Sequence, residues 1–198
     1  MKVTREQAQA TRRRIVETAS EQFRDKGFDG IGVADLMKAS GLTHGGFYRH
    51  FASKDDLVAE ATAFAYDQLE EVTERSSIGD ILRRFISVRH RDALAEGCPT
   101  CSLGGSAMRQ TEPVRSVFAD GVATWINMIG DALASRGDDS SEAERRKQAV
   151  DLATRAVGAV VLARAAAANE KLSEEILATT LGLALAAADQ GSEGMSEQ

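Results

Sequence analysis

The chain has 198 residues, of which 43% are hydrophobic and 27% are charged, and its formal net charge is −6 at pH 7. This length supports one or two small domains with a real apolar core. The sequence has no run of about 18 apolar residues, so no membrane-spanning helix is expected. Two cysteines cannot build a disulfide framework, and the N-terminal MKVTREQAQATRRR lacks the apolar segment of a signal peptide, so the expected location is the cytoplasm.

A long amphipathic helix is predicted from about residue 8 to residue 26. Its apolar stripe is formed by Ile15, Ala19, Gln22 and Phe23. Gly27 then ends the helix. Arginines at positions 12–14 lie where positive charge opposes the helix dipole, which either a phosphate partner or a solvated basic turn would explain.

Two short helices joined by a tight turn follow. The first is predicted over Val33–Ser40 and the second over His44–Phe51, with Gly41 in the turn. Phe47 and Phe51 are four residues apart, so both fall on one face of the second helix, and the other face is polar. This is the helix-turn-helix arrangement, whose second helix enters the DNA major groove. An ordinary corner between two packed helices is the alternative.

The segment RRRIVETASEQFRDKG followed by FDGIGVADLMKASGLTHGGFYRHFASKDDLVAEA carries a more specific signal. Its most specific features are three pairs: Phe47-Tyr48, His50-Phe51 and Ser53-Lys54. Over roughly residues 12–61 the chain resembles the DNA-binding domain of the TetR family of transcriptional regulators. It departs from the family at Gly32, where Ser or Thr is usual, and at Gly46, where Thr, Ala or Ser is common. These departures weaken a helix cap with its phosphate contact and remove a possible base contact.

The resemblance implies a dimer that places two short helices in successive major grooves. The residues expected to meet phosphates are Thr43, Tyr48, His50 and Lys54. The side chains best placed to reach base edges are His44 and Arg49. The residues that would let the backbone approach DNA closely are Gly45 and Gly46.

The charge is distributed unevenly along the chain. Residues 1–54 hold 10 Lys and Arg against 6 Asp and Glu, a net of +4, whereas residues 55–198 hold 14 against 24, a net of −10. Positive potential is therefore expected at the end that would meet phosphate, and the acidic remainder also fits a solvated helical surface.

The remaining two thirds of the chain is predicted to be helical, with an apolar face on each helix. The expected helices cover about 54–75, 78–95, 100–110, 114–133, 141–168 and 173–188. The fold class is therefore all-α, with an N-terminal three-helix helix-turn-helix DNA-binding domain in residues 1–53. A C-terminal helical ligand-binding and dimerisation bundle is expected in residues 54–190, and a disordered tail in residues 191–198.

The pair Cys98-Pro-Thr-Cys101 is a lone CxxC motif. Zinc needs a further ligand pair and a thioredoxin-like role needs a βαβ context, and the sequence has neither. The motif begins a predicted helix, where a thiolate pKa is lowered, so a sensing disulfide or an electrophile-reactive thiol remains open. The ordinary interpretation is a pair of small apolar residues at a helix start. A similarly placed Cys-Pro is common in TetR-like regulators, which favours that interpretation.

Catalysis has no support in the sequence. It has no Gly-rich phosphate loop, no His-Glu metal pair and no nucleophile elbow, so we expect neither an enzyme nor a metal or cofactor.

Ligand-binding and dimer residues are proposed for the second domain. The candidates for an inducer pocket, which the resemblance implies, are Phe64, Phe85, Cys98, Cys101, Met108, Phe118, Trp125 and Met128. Each is also explained as ordinary core. The candidates for a dimer interface formed by the last two helices are Ala156, Val160, Ile176, Leu177, Thr180, Leu181, Ala184 and Leu185. A monomer that uses both faces in its own core is the competing account.

The function expected from these observations is that of a TetR-like repressor that binds a palindromic operator as a dimer and is released by a small-molecule inducer. Two alternatives remain. One is a helical small-molecule or protein-binding module that has lost DNA affinity, and the other is a cysteine-based redox or electrophile sensor of the same family.

Overall fold

The computed structural model describes residues 4–73, 75–137 and 140–189, and helices dominate these ranges. In chain order the helices are α1 (Arg5–Lys26), α2 (Val33–Ala39), the 3-10 helix η1 (His44–Arg49), α3 (Lys54–Thr73), α4 (Ile78–Phe85), α5 (Val88–Asp92), α6 (Pro99–Ala107), α7 (Glu112–Ala134), α8 (Glu142–Ala165) and α9 (Glu170–Asp189). The described ranges contain no strand, and the predicted all-α fold is confirmed. The predicted tail, residues 191–198, lies outside the described residues.

The helices form two compact units. The first lies within Met1–Gln68 and Leu94–Gly121, and the second lies within Leu69–Ala93 and Val122–Gln198. Helices α3 and α7 each contribute residues to both units. The functional division expected after residue 53 stays a prediction, since these units are defined by compactness alone.

The first unit has one apolar core. Its buried members are Ile15, Val16, Ala19, Phe23, Phe28, Ile31, Leu36, Met37, Phe47, Phe51, Leu57, Val58, Ala61, Tyr66, Leu103, Val114 and Phe118. Helices α1, α2, η1 and α6 all contribute to this list, so α6 shares a core with the helix-turn-helix segment. Phe28 packs edge-on against Phe118 with ring centroids 6.0 Å apart.

Helix α1 begins earlier than its apolar stripe predicts. The predicted start at about residue 8 is wrong because Thr4 and Gln7 form a capping box. The Gln7 backbone N–H donates to the Thr4 hydroxyl at 3.2 Å, and the Thr4 N–H donates to the Gln7 side-chain oxygen at 3.0 Å. These bonds satisfy two donors at the helix start, which lets a polar turn be helical.

The helix predicted over residues 78–95 is two helices in the structure. Helix α4 ends at Phe85, and Ser87 then adopts an extended backbone and accepts a hydrogen bond from the His90 N–H at 3.1 Å. The apolar stripe continues across this break without a glycine or proline. The only local sign of a helix cap in the sequence is Ser87, which lies between two apolar residues.

Helix α9 begins before Ser173, the residue that was expected to start it. Asn169 caps the helix, accepting from the Leu172 N–H at 3.2 Å. Ser173 is fully buried, donates to the Ala163 carbonyl oxygen at 2.8 Å and accepts from Arg91 at 2.9 Å. Its hydroxyl therefore ties α9 to α8 and α5 within the second unit.

Two helical glycines in the first unit should respond in opposite ways to alanine. A Cβ on Gly121 would lie 2.2 Å from the buried ring of Tyr66, whereas a Cβ on the exposed Gly105 would meet no atom within 4 Å. Overpacking by Gly121→Ala should lower the free energy of unfolding by about 1–3 kcal/mol. Gly105→Ala should raise it by up to about 1 kcal/mol through helix propensity. Urea unfolding measures both, and a Gly121→Ala protein as stable as the parent would contradict this packing.

Candidate functional site

Two stacked phenylalanines hold η1 on the protein. Phe47 is fully buried, Phe51 is 2% exposed, and their ring centroids lie 5.6 Å apart at an interplanar angle of 28°. The segment is one 3-10 helix that ends at Arg49, not the two-turn α-helix predicted to reach residue 51. The adjacent Gly45 and Gly46 have low helix propensity, which explains the short element.

The opposite side of η1 is polar and exposed. Tyr48 is 70% exposed and makes an edge-on contact with Phe47 at 5.1 Å. His44 and Arg49 are exposed as well, and His50 is half-buried beside Phe51. A tyrosine that is this exposed contributes little to the core, so its ring and hydroxyl group are accessible to a binding partner.

Backbone features at the start of η1 leave further groups accessible. Thr43 is exposed and extended, and its side chain makes no capping hydrogen bond, unlike the predicted N-cap. Gly45 is exposed and a Cβ there would meet nothing within 4 Å. A Cβ on Gly46 would lie 3.6 Å from the Met37 side chain, an ordinary contact, so packing does not require glycine there. Gly32 begins α2 without a side-chain cap, the weakness expected from the sequence.

Two basic residues near this surface also make contacts inside the first unit. Arg12 pairs with Glu60 at 2.5 Å and lies 4.3 Å above the Phe51 ring. Lys54 donates to the Phe28 carbonyl oxygen at 2.6 Å. An ammonium carries three N–H donors and this bond uses one of them. Both cations therefore help to position the aromatic anchor of η1 and the turn after α1.

The eight candidate ligand residues are divided between the two units. Those in the first unit are Phe64, Cys98, Cys101, Met108 and Phe118, and those in the second are Phe85, Trp125 and Met128. Met108 is 80% exposed, so it lines no cavity within this subunit, and Phe64 and Met128 are half-buried. The structure therefore does not bring all eight candidates to one place in either unit.

In the second unit the aromatic candidates form a close pair. Trp125 stacks on Phe85 with centroids 4.6 Å apart and an interplanar angle of 20°. Trp125 is 2% exposed, and within the described residues its indole N–H has no hydrogen-bond partner. A buried donor without a partner costs about 1–3 kcal/mol, so this N–H is an unused recognition group.

The two cysteines are reduced thiols at the first turn of α6. Cys98 is the residue before Pro99 and is 1% exposed, and Cys101 is 8% exposed. Burial raises the pKa of the Cys98 thiol, but hydrogen bonds from Cys101 and from Thr100 outweigh it and bring the pKa to about 7. A sulfur at the N-terminus of a helix is in an environment that favours the thiolate.

A buried arginine that the sequence analysis missed lies beside this motif. Arg24 is 4% exposed and donates to the carbonyl oxygens of Gly97 at 3.0 Å and Ser20 at 3.2 Å, and to the Gln68 side-chain oxygen at 3.0 Å. Burial lowers the pKa of Arg24, while the negative charge of Glu21 and the thiolate of Cys98 raise it. Its position next to Phe23, at the edge of the apolar stripe, was the only sequence signal.

Tyr66 completes the surroundings of the motif. Its hydroxyl lies 2.8 Å from the hydroxyl of Thr100, and burial raises the pKa of Tyr66 above its usual value. Because the phenol stays protonated, it can donate to Thr100, whose own proton is then available to Cys98. The motif therefore sits in a connected polar network inside the first unit.

The candidate dimer residues fall into two groups within the second unit. Four of them are buried within the subunit: Ala156, Val160, Leu177 and Ala184. Helices α8 and α9 pack on one another in the same subunit, and a role of these residues in a dimer interface stays a prediction. The other four are half-buried: Ile176, Thr180, Leu181 and Leu185.

A different set of apolar side chains lies on the surface of these two helices. Val150 and Val161 on α8 are each 42% exposed, and Leu172 and Leu183 on α9 are 44% and 57% exposed. Each pair is eleven residues apart, about three helical turns, so both members share a face. The sequence analysis missed this face because the apolar stripe on each helix is wider than the part that the subunit buries.

The described residues contain no group of three or more His, Cys, Asp or Glu side chains arranged to hold a metal ion. None of their helices is long and apolar enough to cross a membrane.

Residues 15–61 match the family model described as "Bacterial regulatory proteins, tetR family". The HTH-type transcriptional regulator AcrR of Shigella flexneri is 32% identical over 69 residues, which cover 35% of this chain and 32% of AcrR. The HTH-type transcriptional repressor NemR of Escherichia coli is 25% identical over 133 residues, covering 62% of this chain and 67% of NemR. The chain therefore spans about a third of AcrR and about two thirds of NemR.

The fold is also that of a solved relative. The structure of a TetR transcriptional regulator from Chloroflexus aurantiacus superposes with a TM-score of 0.71 and 26% identity, covering 89% of this chain and 95% of that one. The family model describes bacterial regulatory proteins, AcrR is described as an HTH-type transcriptional regulator and NemR as an HTH-type transcriptional repressor, and the Chloroflexus aurantiacus protein is described as a TetR transcriptional regulator.

Proposed function

The chain belongs to the TetR family of bacterial regulatory proteins, and from this premise we propose that it is a transcriptional repressor. It binds a palindromic operator as a homodimer in the cytoplasm and is released by a small-molecule inducer. The observation that carries the proposal is the polar, exposed face of η1, held in place by Phe47 and Phe51. The description of the relative NemR as a repressor supports the direction of regulation.

The exposed face of η1 supplies two kinds of DNA contact. His44 and Arg49 reach base edges in the major groove, where an arginine recognises guanine through two hydrogen bonds. Phosphate contacts fix the register of the helix and come from Thr43, Tyr48, His50 and Lys54. Gly45 and Gly46 let the backbone approach the groove, and at Gly45 a Cβ would meet no protein atom within 4 Å.

Dimerisation uses the outer face of α8 and α9. Val150 and Val161 on one helix and Leu172 and Leu183 on the other form two exposed apolar stripes in the second unit. In a two-fold interface each contact occurs twice, so even a small apolar stripe stabilises the dimer through both copies. The half-buried Ile176 lies on the same face of α9 as Leu172 and Leu183. The buried members of the predicted interface lie inside the subunit beneath these exposed side chains.

The inducer site is built around the stacked pair of Trp125 and Phe85. A planar aromatic molecule suits an aromatic wall, and a carbonyl oxygen on it would accept from the Trp125 indole N–H. A ligand that accepts this hydrogen bond gains binding free energy that a purely apolar molecule lacks.

Two other functions have support in particular features. The uncapped start of α2 at Gly32 and the missing side chain at Gly46 favour a helical binding module without DNA affinity. The polar network around Cys98 favours a cysteine-based sensor of the same family.

DNA binding is tested with a labelled palindromic fragment from upstream of the gene. Affinity measured by fluorescence anisotropy should fall steeply with salt, because phosphate contacts release counterions. Arg49→Ala should weaken binding by about 1–3 kcal/mol as a base contact is lost. Arg83→Ala on α4 is the charge-matched control, since its side chain is 60% exposed, and it should bind as the parent does. Absence of binding at low salt would favour the binding module instead.

Dimerisation is tested by placing a charge on the outer stripe of α9. Leu183→Glu should convert the dimer to a monomer, since burying each leucine is worth about 2 kcal/mol and the change occurs twice. Ala178→Glu puts the same charge on an exposed residue off the stripe and should stay dimeric. Sedimentation velocity distinguishes them, and a dimeric Leu183→Glu protein would rule out this interface.

The inducer site is tested through Trp125, the one tryptophan of the chain. Planar aromatic carbonyl compounds that bind there should quench its fluorescence. Trp125→Phe keeps a six-membered aromatic ring and removes the five-membered ring with its N–H, so calorimetry should show weaker binding by about 0.5–1.5 kcal/mol. The unfolding free energy should change little, because loss of the unpaired N–H offsets the loss of packing at this buried position. A quenching compound that binds the Trp125→Phe protein equally well would exclude the hydrogen bond.

A further inference from the structure

We propose that Cys98 and Cys101 form a redox-active dithiol that hydroperoxides oxidise to an intramolecular disulfide, and that this oxidation weakens operator binding. The effect on operator binding rests on the proposed repressor function, whereas the oxidation of the two thiols does not. The site lies within the first unit, in the same unit as η1.

The two sulfur atoms are placed together by one helical turn. The Cys101 N–H donates to the Cys98 carbonyl oxygen at 3.1 Å, which keeps the two residues on the first turn of α6. The Cys101 thiol in turn donates to the Cys98 sulfur. Residues three apart on a helix are neighbours, within the Cα separation of about 4.4–6.8 Å that a disulfide requires. A disulfide therefore forms without unwinding the helix beyond its first turn.

Cys98 is the attacking thiol. Its side chain lies at the N-terminus of α6, and hydrogen bonding with Cys101 and Thr100 lowers the pKa of its thiol. The guanidinium of Arg24, which donates to the carbonyl of the adjacent Gly97, adds a positive charge nearby. A thiol whose pKa is near the ambient pH combines thiolate population with nucleophilicity.

The oxidation balances with one hydroperoxide. The Cys98 thiolate attacks the terminal peroxide oxygen, the O–O bond breaks, and the alcohol, or water in the case of hydrogen peroxide, leaves after taking a proton. The Cys101 sulfur then attacks the Cys98 sulfenic acid, the S–S bond forms, the S–O bond breaks, and water leaves. Two electrons pass from the sulfur atoms to the peroxide. Because both thiols are nearly buried, the site selects small oxidants.

The disulfide changes the contact between α6 and α1. Oxidation removes the Cys98 thiolate, one of the negative charges that, with Glu21 and Glu96, stabilise the Arg24 guanidinium. Leu103 of α6 lies in the same apolar core as Phe47 of η1. A shift of the first turn of α6 therefore acts on the core that positions the DNA-facing helix.

The chemistry is tested on the full-length reduced protein with stoichiometric hydrogen peroxide. Mass spectrometry of the peptide that contains both cysteines should show the loss of two hydrogens, restored by dithiothreitol. In Cys101→Ser, dimedone should trap a sulfenic acid on Cys98. In Cys98→Ser, Cys101 should react at least tenfold more slowly. Two thiols that stay reduced, or a Cys101 that reacts as fast without Cys98, would overturn the assignment.

The regulatory half is tested by operator affinity before and after oxidation. Oxidised parent protein should bind at least tenfold more weakly than reduced protein, and Cys98→Ser should not respond to peroxide. A disulfide that forms without any change in affinity would overturn the regulatory half alone. If reduced protein binds no operator, the repressor function fails, and the mass spectrometry still decides the dithiol chemistry.

Discussion

The burial of Phe47 and Phe51 in the core of the first unit is the interaction on which the exposed polar face of η1 depends. Both rings are nearly inaccessible to solvent, and they stack on one another. Removing a buried phenylalanine costs about 3–5 kcal/mol, so these two anchors outweigh the poor helix propensity of Gly45 and Gly46. A six-residue 3-10 helix would be unstable alone. Tertiary packing therefore decides that Tyr48 points outward.

The same core also contains the least expected group in the chain. Arg24 is a buried cation whose described hydrogen-bond partners are two carbonyl oxygens and one amide oxygen. Charge-assisted hydrogen bonds of this kind offset the cost of burying the guanidinium, and the nearby Cys98 sulfur can add a negative charge. A regulatory role for the cysteines is physically reasonable because their charge state acts on this buried cation.

Much of the fold follows from helical periodicity, and the exceptions have local causes. The apolar stripe of α1 and the phenylalanine spacing of η1 correctly indicate which side chains are buried. The capping box of Thr4 and the break at Ser87 were missed, because caps made by polar side chains leave only weak sequence signals.

The candidate sites were less predictable than the helices. Ala156 and Val160 have the small size expected at a helix contact, but the sequence cannot say whether the partner helix belongs to the same subunit. Arg24 escaped notice because its importance comes from Gly97 and Gln68, which are distant in sequence. The TetR resemblance could be recognised from the sequence, since its signal is a local motif rather than a long-range contact.

We propose that the exposed face of η1 enters the major groove twice, once from each subunit. Hydroxyl-radical and dimethyl sulfate footprinting of the dimer on its operator tests this arrangement. We expect two symmetric protected sites about 34–36 Å apart on one side of the duplex, with guanine N7 protected in both major grooves. A single protected site, or protection confined to the minor groove, would contradict it.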